Sequence, residues 1–181
     1  RKYDHKQHLR TIKYYRPYQA TIRDIESHVD QEEIKQQIEE IKPLTRYIII
    51  IPKTKIKNEL IEAENIILGL PLGPAENSIS WDYARNAPNP IHLLGGSPSK
   101  WKNAIEELGN KIHSLDGNYL GKIARFGKIY KNWKTCTPHY FEVTEGKDFP
   151  YRCFQFSLDW VNKNLNKSGN AKAKQLKLFS T

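Results

Sequence analysis

The chain has 181 residues, and its 29 Lys and Arg against 20 Asp and Glu give a net charge of +9 at pH 7 and a pI near 9.4. The mean hydropathy is −0.71, no apolar run reaches membrane-spanning length, and no secretory signal is recognisable. We therefore expect a soluble, cytoplasmic protein with no membrane partner, and the positive charge favours a polyanionic partner such as DNA or RNA.

The first half of the chain alternates between strand-like and helix-like patterns. The run at 47–51 is a tyrosine followed by four β-branched isoleucines, which is typical of a strand buried on both faces of a parallel sheet. A turn is predicted at Gly69-Leu70-Pro71, and the residues from 73 to 89 predict a long surface loop. The remaining predicted elements are a helix over 6–15, a strand over 18–25, a helix after Asp30 with Ile34, Ile38 and Ile41 on its buried face, a helix over 57–63 and a strand over 65–68.

The most informative segment is 90–130, which predicts one complete βαβ unit. A strand over 91–94 is followed by a Gly95-Gly96-Ser97 turn, and the next helix has Ser97 as its N-cap and ends at Gly109. A strand over 111–115 then leads into a loop with Asp116 and Asn118. The glycine turn is either a phosphate site at a helix N-terminus or an ordinary tight turn.

The last sixty residues are basic and aromatic. Lys122, Arg125 and Lys128 lie among aromatic residues, a pattern that suits phosphate contacts and base stacking. A solvated strand or helix with its aromatics in the core explains the same pattern. We predict a hairpin or loop and a helix around 156–164. The predicted domains are a βα-repeat barrel portion (1–130), a basic aromatic extension (131–165) and a flexible tail (166–181).

Metal and cofactor chemistry has little support in the sequence. Cys136, His139 and Cys153 are three candidate ligands at a spacing that does not suit zinc, and we expect reduced cysteines. We therefore predict no metal site and no cofactor. Five strands alternating with helices suit an α/β fold, either doubly wound or part of a (β/α)₈ TIM barrel. Because a full barrel takes about 250 residues, we expect a partial barrel, truncated at its N-terminus.

Six short motifs bear a family likeness. The stretches YQATIRDI, IIIIPK, LGLPLG, HLLGGSP, SLDGN and KIARFGKIY occur in this order between about Tyr3 and Tyr130. Together they resemble the C-terminal part of the tRNA-guanine transglycosylase-like barrel, and more closely its divergent relatives of unknown or DNA-modifying function in bacteria and phages. The resemblance implies a TIM-barrel-like fold and the exchange of a guanine base at C1′ of a nucleotide in DNA or RNA.

The resemblance also implies residue roles. Asp116, in SLDGN, resembles the aspartate nucleophile, a group that can form a reversible glycosyl ester. Asp24 resembles the aspartate that binds the guanine edge, and Gly69-Leu70 resembles the turn that approaches the base. We assign Asn118 to base binding as well. For phosphate or nucleic-acid binding, the predicted residues are Gly95, Gly96, Ser97, Lys122, Arg125 and Lys128.

The sequence departs from the family in three places. The Asp-Ser-Gly motif of the general acid has no counterpart, and we expect it to precede Arg1; the cysteine-rich zinc segment is also missing, and Lys53 replaces a polar-glycine turn. Asp116-Gly117 is in addition a common turn signature, and Asp24 suits a capping or loop aspartate. Two alternatives therefore stay open: a non-catalytic nucleic-acid-binding module of the same fold, and an open α/β nucleotide-phosphate binder.

The C-terminal tail contains a second motif. Gln175-Leu176-Lys177-Leu178-Phe179 resembles the peptide by which bacterial replication and repair proteins bind the DNA polymerase sliding clamp. In this interpretation Leu176, Leu178 and Phe179 enter an apolar groove and Gln175 sets the register. A tail that packs on its own domain, or a chance pentapeptide, explains the same residues.

Overall fold

A computed structural model describes residues 3–26, 31–54, 56, 60–73, 79–138 and 148–168. In the last helix, the side chains are described as far as Asn164. The chain divides into two compact units, 1–92 and 93–181. Within the described residues, no helix is long and apolar enough to cross a membrane.

The fold is mixed α/β with a five-stranded parallel sheet, which is compatible with part of an α/β barrel. The strands follow one another in chain order: β1 (Gln19–Thr21), β2 (Tyr47–Ile50), β3 (Ile66–Pro71), β4 (Ile91–Leu94) and β5 (Ile112–Leu115). The register places Ile48 opposite Ile66 and Ile49 opposite Ile67. These residues are all buried, as expected for a parallel sheet that is covered on both faces.

The first unit packs helices α1 (His5–Tyr15), α2 (Gln31–Ile41) and α3 (Trp81–Asn86) with the strands up to the start of β4. The sequence predicts the buried face of α2, and the structure confirms it: Ile34, Ile38 and Ile41 join the hydrophobic core. Residues Lys42–Leu44 form a 3₁₀ turn after this helix. Beyond β1 and β2, an isolated parallel bridge joins Ile25 to Pro52, so pairing continues to the point where both strands end.

The second unit contains β5, α4 (Pro98–Leu108), α5 (Tyr119–Ala124), a two-stranded antiparallel hairpin of β6 (Lys128–Tyr130) and β7 (Cys136–Pro138), and α6 (Asp148–Ser168). A 3₁₀ turn, Gly109–Lys111, joins α4 to β5. Helix α6 packs against α4, α5 and β6. Its Cys153 lies in a small core with Ala124 and Ile129.

The structure corrects two predictions of secondary structure. The predicted turn at Gly69-Leu70 is wrong, because both residues lie inside β3 and are buried. The predicted loop over 73–89 is wrong in part, because it contains α3, whose N-cap Ser80 accepts a hydrogen bond from the Tyr83 N–H at 3.1 Å. The predicted helix over 57–63 and the tail from 169 onward lie partly or wholly outside the described residues.

Candidate functional site

Asp116 lies at the carboxyl end of β5, in the position that the sequence predicts for a nucleophile. Its N–H donates to the Leu93 carbonyl at 2.9 Å, which continues the pairing of β5 with β4 by one residue. Its carboxylate is exposed, and Oδ1 accepts a hydrogen bond from the Gly95 N–H at 2.9 Å. The side chain is therefore oriented by the loop that follows β4.

The side chain of Trp101 contacts the same loop. The indole Nε1–H donates to the Gly95 carbonyl at 2.6 Å, and the side chain is 1% exposed. Gly117 packs against this ring so closely that a Cβ there would lie 2.9 Å from Trp101 Cζ2 and 3.7 Å from the Gly95 backbone. Gly95 thus donates to Asp116 and accepts from Trp101, which holds the loops after β4 and β5 together.

This geometry suits a positioned carboxylate nucleophile. A charge-assisted hydrogen bond from a backbone N–H fixes one oxygen of Asp116 and contributes about 1.5–3 kcal/mol. The residue is exposed, so the site is open to solvent. Such an arrangement can present a carboxylate to an electrophilic carbon, and it also serves as a stable loop contact.

The Gly95-Gly96-Ser97 turn has an anionic partner from within the chain. Gly95 and Gly96 have φ of +67° and +88°, a backbone region that favours glycine. The Gly95 N–H, which the sequence predicts to bind phosphate, donates instead to the Asp116 carboxylate. Ser97 is at the N-cap of α4 as predicted, but its side chain makes no capping hydrogen bond, and its Oγ lies 2.9 Å from Ser99 Oγ.

The basic residues predicted to bind nucleic acid are exposed around α5. Lys122 lies in its last turn, Arg125 is the C-cap, and Lys128 begins β6. Phe126, between the last two, is 72% exposed. Asn118 is exposed at the N-cap of α5, where its carbonyl accepts from the Lys122 N–H at 2.8 Å. An exposed aromatic ring flanked by cations suits a contact with a polyanion that has stackable bases.

A groove of about 610 Å³ lies between α4 and the β6–β7 loop. Trp133 lines it and meets Trp160 edge to face, with the ring centroids 4.9 Å apart. The loop is held by Asn132, whose Oδ1 accepts from the backbone N–H groups of Lys134 and Thr135. Helix α4 lines the groove with Ser99, Lys102 and Asn103, and the loop lines it with Asn132, Lys134 and Thr135 beside Trp133.

Tyr130 is the aromatic residue of this segment that belongs to the core. It is 2% exposed, and burial raises the pKa of its phenol, with a hydrogen bond involving Tyr119 adding to the shift. The aromatic residues of the basic aromatic segment therefore do not share one environment. Tyr130 packs inside, whereas Phe126 lies on the surface.

In the first unit, Asp24 forms an ion pair with Lys53. The Lys53 Nζ lies 2.6 Å from Asp24 Oδ2 and 3.5 Å from Glu26 Oε1. The hydrogen bond with Asp24 raises the pKa of Lys53, partly opposed by desolvation. The pair lies where β1 and β2 end, so Asp24 occupies the strand-end position expected of a base-binding residue, with a lysine already engaged.

The other predicted site residues divide into two groups. Gly69 and Leu70 lie within β3, so they provide no turn that could approach a base. Gln175, Leu176, Leu178 and Phe179 lie outside the described residues. Cys136 and Cys153 are free thiols, and burial raises the pKa of Cys153. Over the described part of the chain, no group of three His, Cys, Asp or Glu side chains could hold a metal ion.

Sequence reasoning missed the roles of Trp101 and Gly117 in holding this site. The helical spacing identifies Trp101 as a buried residue, but not its hydrogen bond to the loop after β4. The Asp-Gly pair signals a turn, whereas the glycine is required by the ring that packs against it. No local signal predicts a contact between residues this far apart.

The chain belongs to a family of unknown function, DUF6610, whose model matches residues 1–166. No curated protein and no solved structure matches the chain.

Proposed function

We propose that this member of DUF6610 is a transglycosylase-like protein that exchanges a guanine base in nucleic acid, with Asp116 as the nucleophile. The observation that carries the proposal is the exposed Asp116 carboxylate, oriented at the end of β5 by the Gly95 N–H. Because the residue is exposed, a sugar carbon can approach this carboxylate from solvent.

The proposed reaction has two displacements. A carboxylate oxygen of Asp116 attacks C1′, the bond from C1′ to the guanine nitrogen breaks, and guanine leaves with a proton from a general acid. A ring nitrogen of the incoming base, a 7-deazaguanine in the related family, then attacks C1′, gives its proton to the conjugate base of the same general acid and releases Asp116. The N–H of Gly95 stabilises the carboxylate before and after the covalent step. The resemblance assigns the general acid to an Asp-Ser-Gly motif, which the printed sequence does not contain.

The charge distribution supports nucleic acid as the substrate. The second unit has fifteen Lys and Arg against seven Asp and Glu, whereas the first has fourteen against thirteen. From Gly117 to Phe141, directly after the candidate nucleophile, the sequence has five basic residues and no acidic one. Cations that follow the reacting carboxylate in the sequence are suited to hold the phosphates that flank a target nucleotide.

The test is covalent trapping with the full-length protein. A guanine-containing oligonucleotide is incubated with the protein, the reaction is stopped with denaturant, and intact mass is measured. We expect an adduct that is heavier than the protein by the mass of the oligonucleotide minus guanine. Asp116→Asn should form none, while Asp159→Asn, which removes the charge of an exposed aspartate on α6, should form it normally. An adduct with Asp116→Asn, or none with the unaltered protein, would refute the proposal.

The same charge distribution favours a second function, non-catalytic binding of nucleic acid. In this case Lys122, Arg125 and Lys128 contact phosphates and Asp116 only joins two loops. Alanine at each basic position should reduce the salt slope of duplex DNA binding by about one, and Lys35→Ala on α2 should not change it. If binding survives Asp116→Asn and no adduct forms, this function is favoured over exchange. Absence of binding at low salt would eliminate both.

Two further proposals rest on the sequence. Docking of Gln175, Leu176, Leu178 and Phe179 on a bacterial sliding clamp is testable by clamp binding with and without the segment. The other proposal is that Gly96 and Ser97 bind nucleotide phosphates. It has less support because the neighbouring Gly95 N–H already donates to the Asp116 carboxylate. A thermal shift with nucleotides tests it.

A further inference from the structure

Three exposed tyrosines cluster where α1 ends. Tyr14 is 81% exposed, Tyr15 is 71% exposed and Tyr18 is 50% exposed. Tyrosine usually buries most of its ring, and three such rings within five residues form an aromatic surface. We call these three residues, together with Lys13 and Arg16, the tyrosine ridge.

The ridge is held from both ends by backbone contacts. Helix α1 stops at Arg16, which adopts φ +46° and whose N–H donates to the Ile12 carbonyl at 2.9 Å. The Pro17 carbonyl accepts from Thr45 Oγ1 at 2.9 Å, and the Tyr18 carbonyl accepts from the Tyr47 N–H at 3.2 Å. The rings are therefore displayed from a backbone that is already ordered, which reduces the entropy lost on binding.

The rings are arranged to present separate faces. Tyr14 and Tyr15 meet edge to face, with centroids 4.8 Å apart and planes at 84°. Tyr18 meets Tyr47 in the same way at 5.5 Å and 71°. In an edge-to-face pair, at least one ring keeps a face that its neighbour does not cover. Such a face can accept a flat, unsaturated group from a ligand.

The sequence around the ridge is rich in basic residues, and one carboxylate from α2, Glu40, is close enough to interact with Lys13. From His5 to Arg23 the sequence has five basic residues and no acidic one. Lys13 and Arg16 of the ridge are exposed. The surface therefore combines aromatic faces with cations, the two features that bind the bases and the phosphates of an unpaired strand.

We propose that the tyrosine ridge binds unpaired nucleotides of single-stranded nucleic acid. Bases stack on Tyr14 and Tyr15, and Lys13 and Arg16 contact the phosphates. A duplex has no free base faces to offer, so the aromatic contribution is specific to unpaired bases. This inference rests on nucleic acid as the partner in the proposed function, but not on the chemistry of Asp116.

The test compares a fluorescent oligothymidine with a blunt-ended, two-stranded duplex that has the same number of phosphates, both at fixed salt. The Tyr14→Ala/Tyr15→Ala variant should bind the oligothymidine at least about fivefold more weakly and the duplex within about twofold of the unaltered protein. The Tyr14→Phe/Tyr15→Phe variant keeps the rings and should bind as the unaltered protein does. Since both side chains are exposed, the thermal midpoint should change little.

The outcomes separate this inference from the proposed function. Unchanged oligothymidine binding by the alanine variant, equal weakening for the duplex, or an equal loss with the phenylalanine variant would overturn the role of the ridge. Asp116→Asn should leave oligothymidine binding intact while abolishing the covalent adduct. If the unaltered protein binds neither oligonucleotide at low salt, nucleic acid is the wrong partner and the ridge proposal fails with it.

Discussion

Replacing Gly117 with alanine tests the packing of the candidate site directly. The added Cβ would lie 2.9 Å from Trp101 Cζ2, a separation that Cβ atoms do not tolerate. The ring cannot easily move, because it is 1% exposed and its Nε1–H donates to the Gly95 carbonyl at 2.6 Å. Either the indole or the loop that contains Asp116 must shift. Overpacking of this kind costs about 1–3 kcal/mol.

Gly121→Ala is the matched control. Nothing lies within 4 Å of the Cβ it would add, and the residue is inside α5. Alanine is favoured over glycine in a helix by about 0.5–1 kcal/mol. The same chemical change therefore has opposite effects at two glycines only four positions apart. The difference between the two variants should be about 1.5–4 kcal/mol.

The assay is urea unfolding followed by tryptophan fluorescence and far-UV circular dichroism, with the two signals compared for each variant. We expect Gly117→Ala to have a lower midpoint than the unaltered protein and Gly121→Ala an equal or higher one. The Gly117 variant should also have altered native fluorescence, because Trp101 moves. If both variants are equally stable, the contact between Gly117 and Trp101 does not constrain the site.

Three further predictions concern stability. The hydrogen bond with Asp24 raises the pKa of Lys53 above its ordinary value of 10.5, so protonated Lys53 stabilises the fold at pH values below 10.5, and this stabilisation is lost as the pH rises through the raised pKa. Asp24→Asn should therefore lower the free energy of unfolding by about 0.2–1 kcal/mol at pH 8 and not change it at strongly alkaline pH, measured by urea unfolding. Ser157, 0% exposed, accepts from the Tyr130 N–H at 3.1 Å; Ser157→Ala should cost about 1–3 kcal/mol and speed hydrogen exchange at that N–H. Arg16→Gly should relieve its positive φ and raise the thermal midpoint, while the lost charge lowers the salt slope of oligothymidine binding.

Periodicity predicts the elements of this fold where the apolar pattern is unambiguous. The isoleucine face of α2 and the β-branched run of β2 are confirmed with their bounds nearly unchanged. The turn predicted at Gly69-Leu70 is wrong. Glycine and proline are typical turn residues, but here the neighbouring strands pair with β3 and bury it. Helix α3 is missed because the polar composition over 73–89 favours a loop, whereas in the structure Ser80 caps this helix.

Composition cannot separate exposed aromatic residues from buried ones. Tyr130 and Phe126 lie four residues apart in one basic stretch, and the structure buries the first and exposes the second. Tyr14 and Tyr15 lie in a segment that the sequence describes only as a helix. Exposure depends on which elements pack against a residue, and this is a property of the whole unit rather than of a short window.

The sequence by itself determined the βαβ unit over 90–130, the position of Asp116 at the end of its second strand, and the positive charge that follows. These follow from local periodicity, capping and composition, which act over a few residues. Only the tertiary structure decided that the Asp116 carboxylate binds the N–H of Gly95, 21 residues away, and that Gly117 must be small. Both depend on β4 and β5 lying side by side with Trp101 packed beneath, which brings distant parts of the chain into contact.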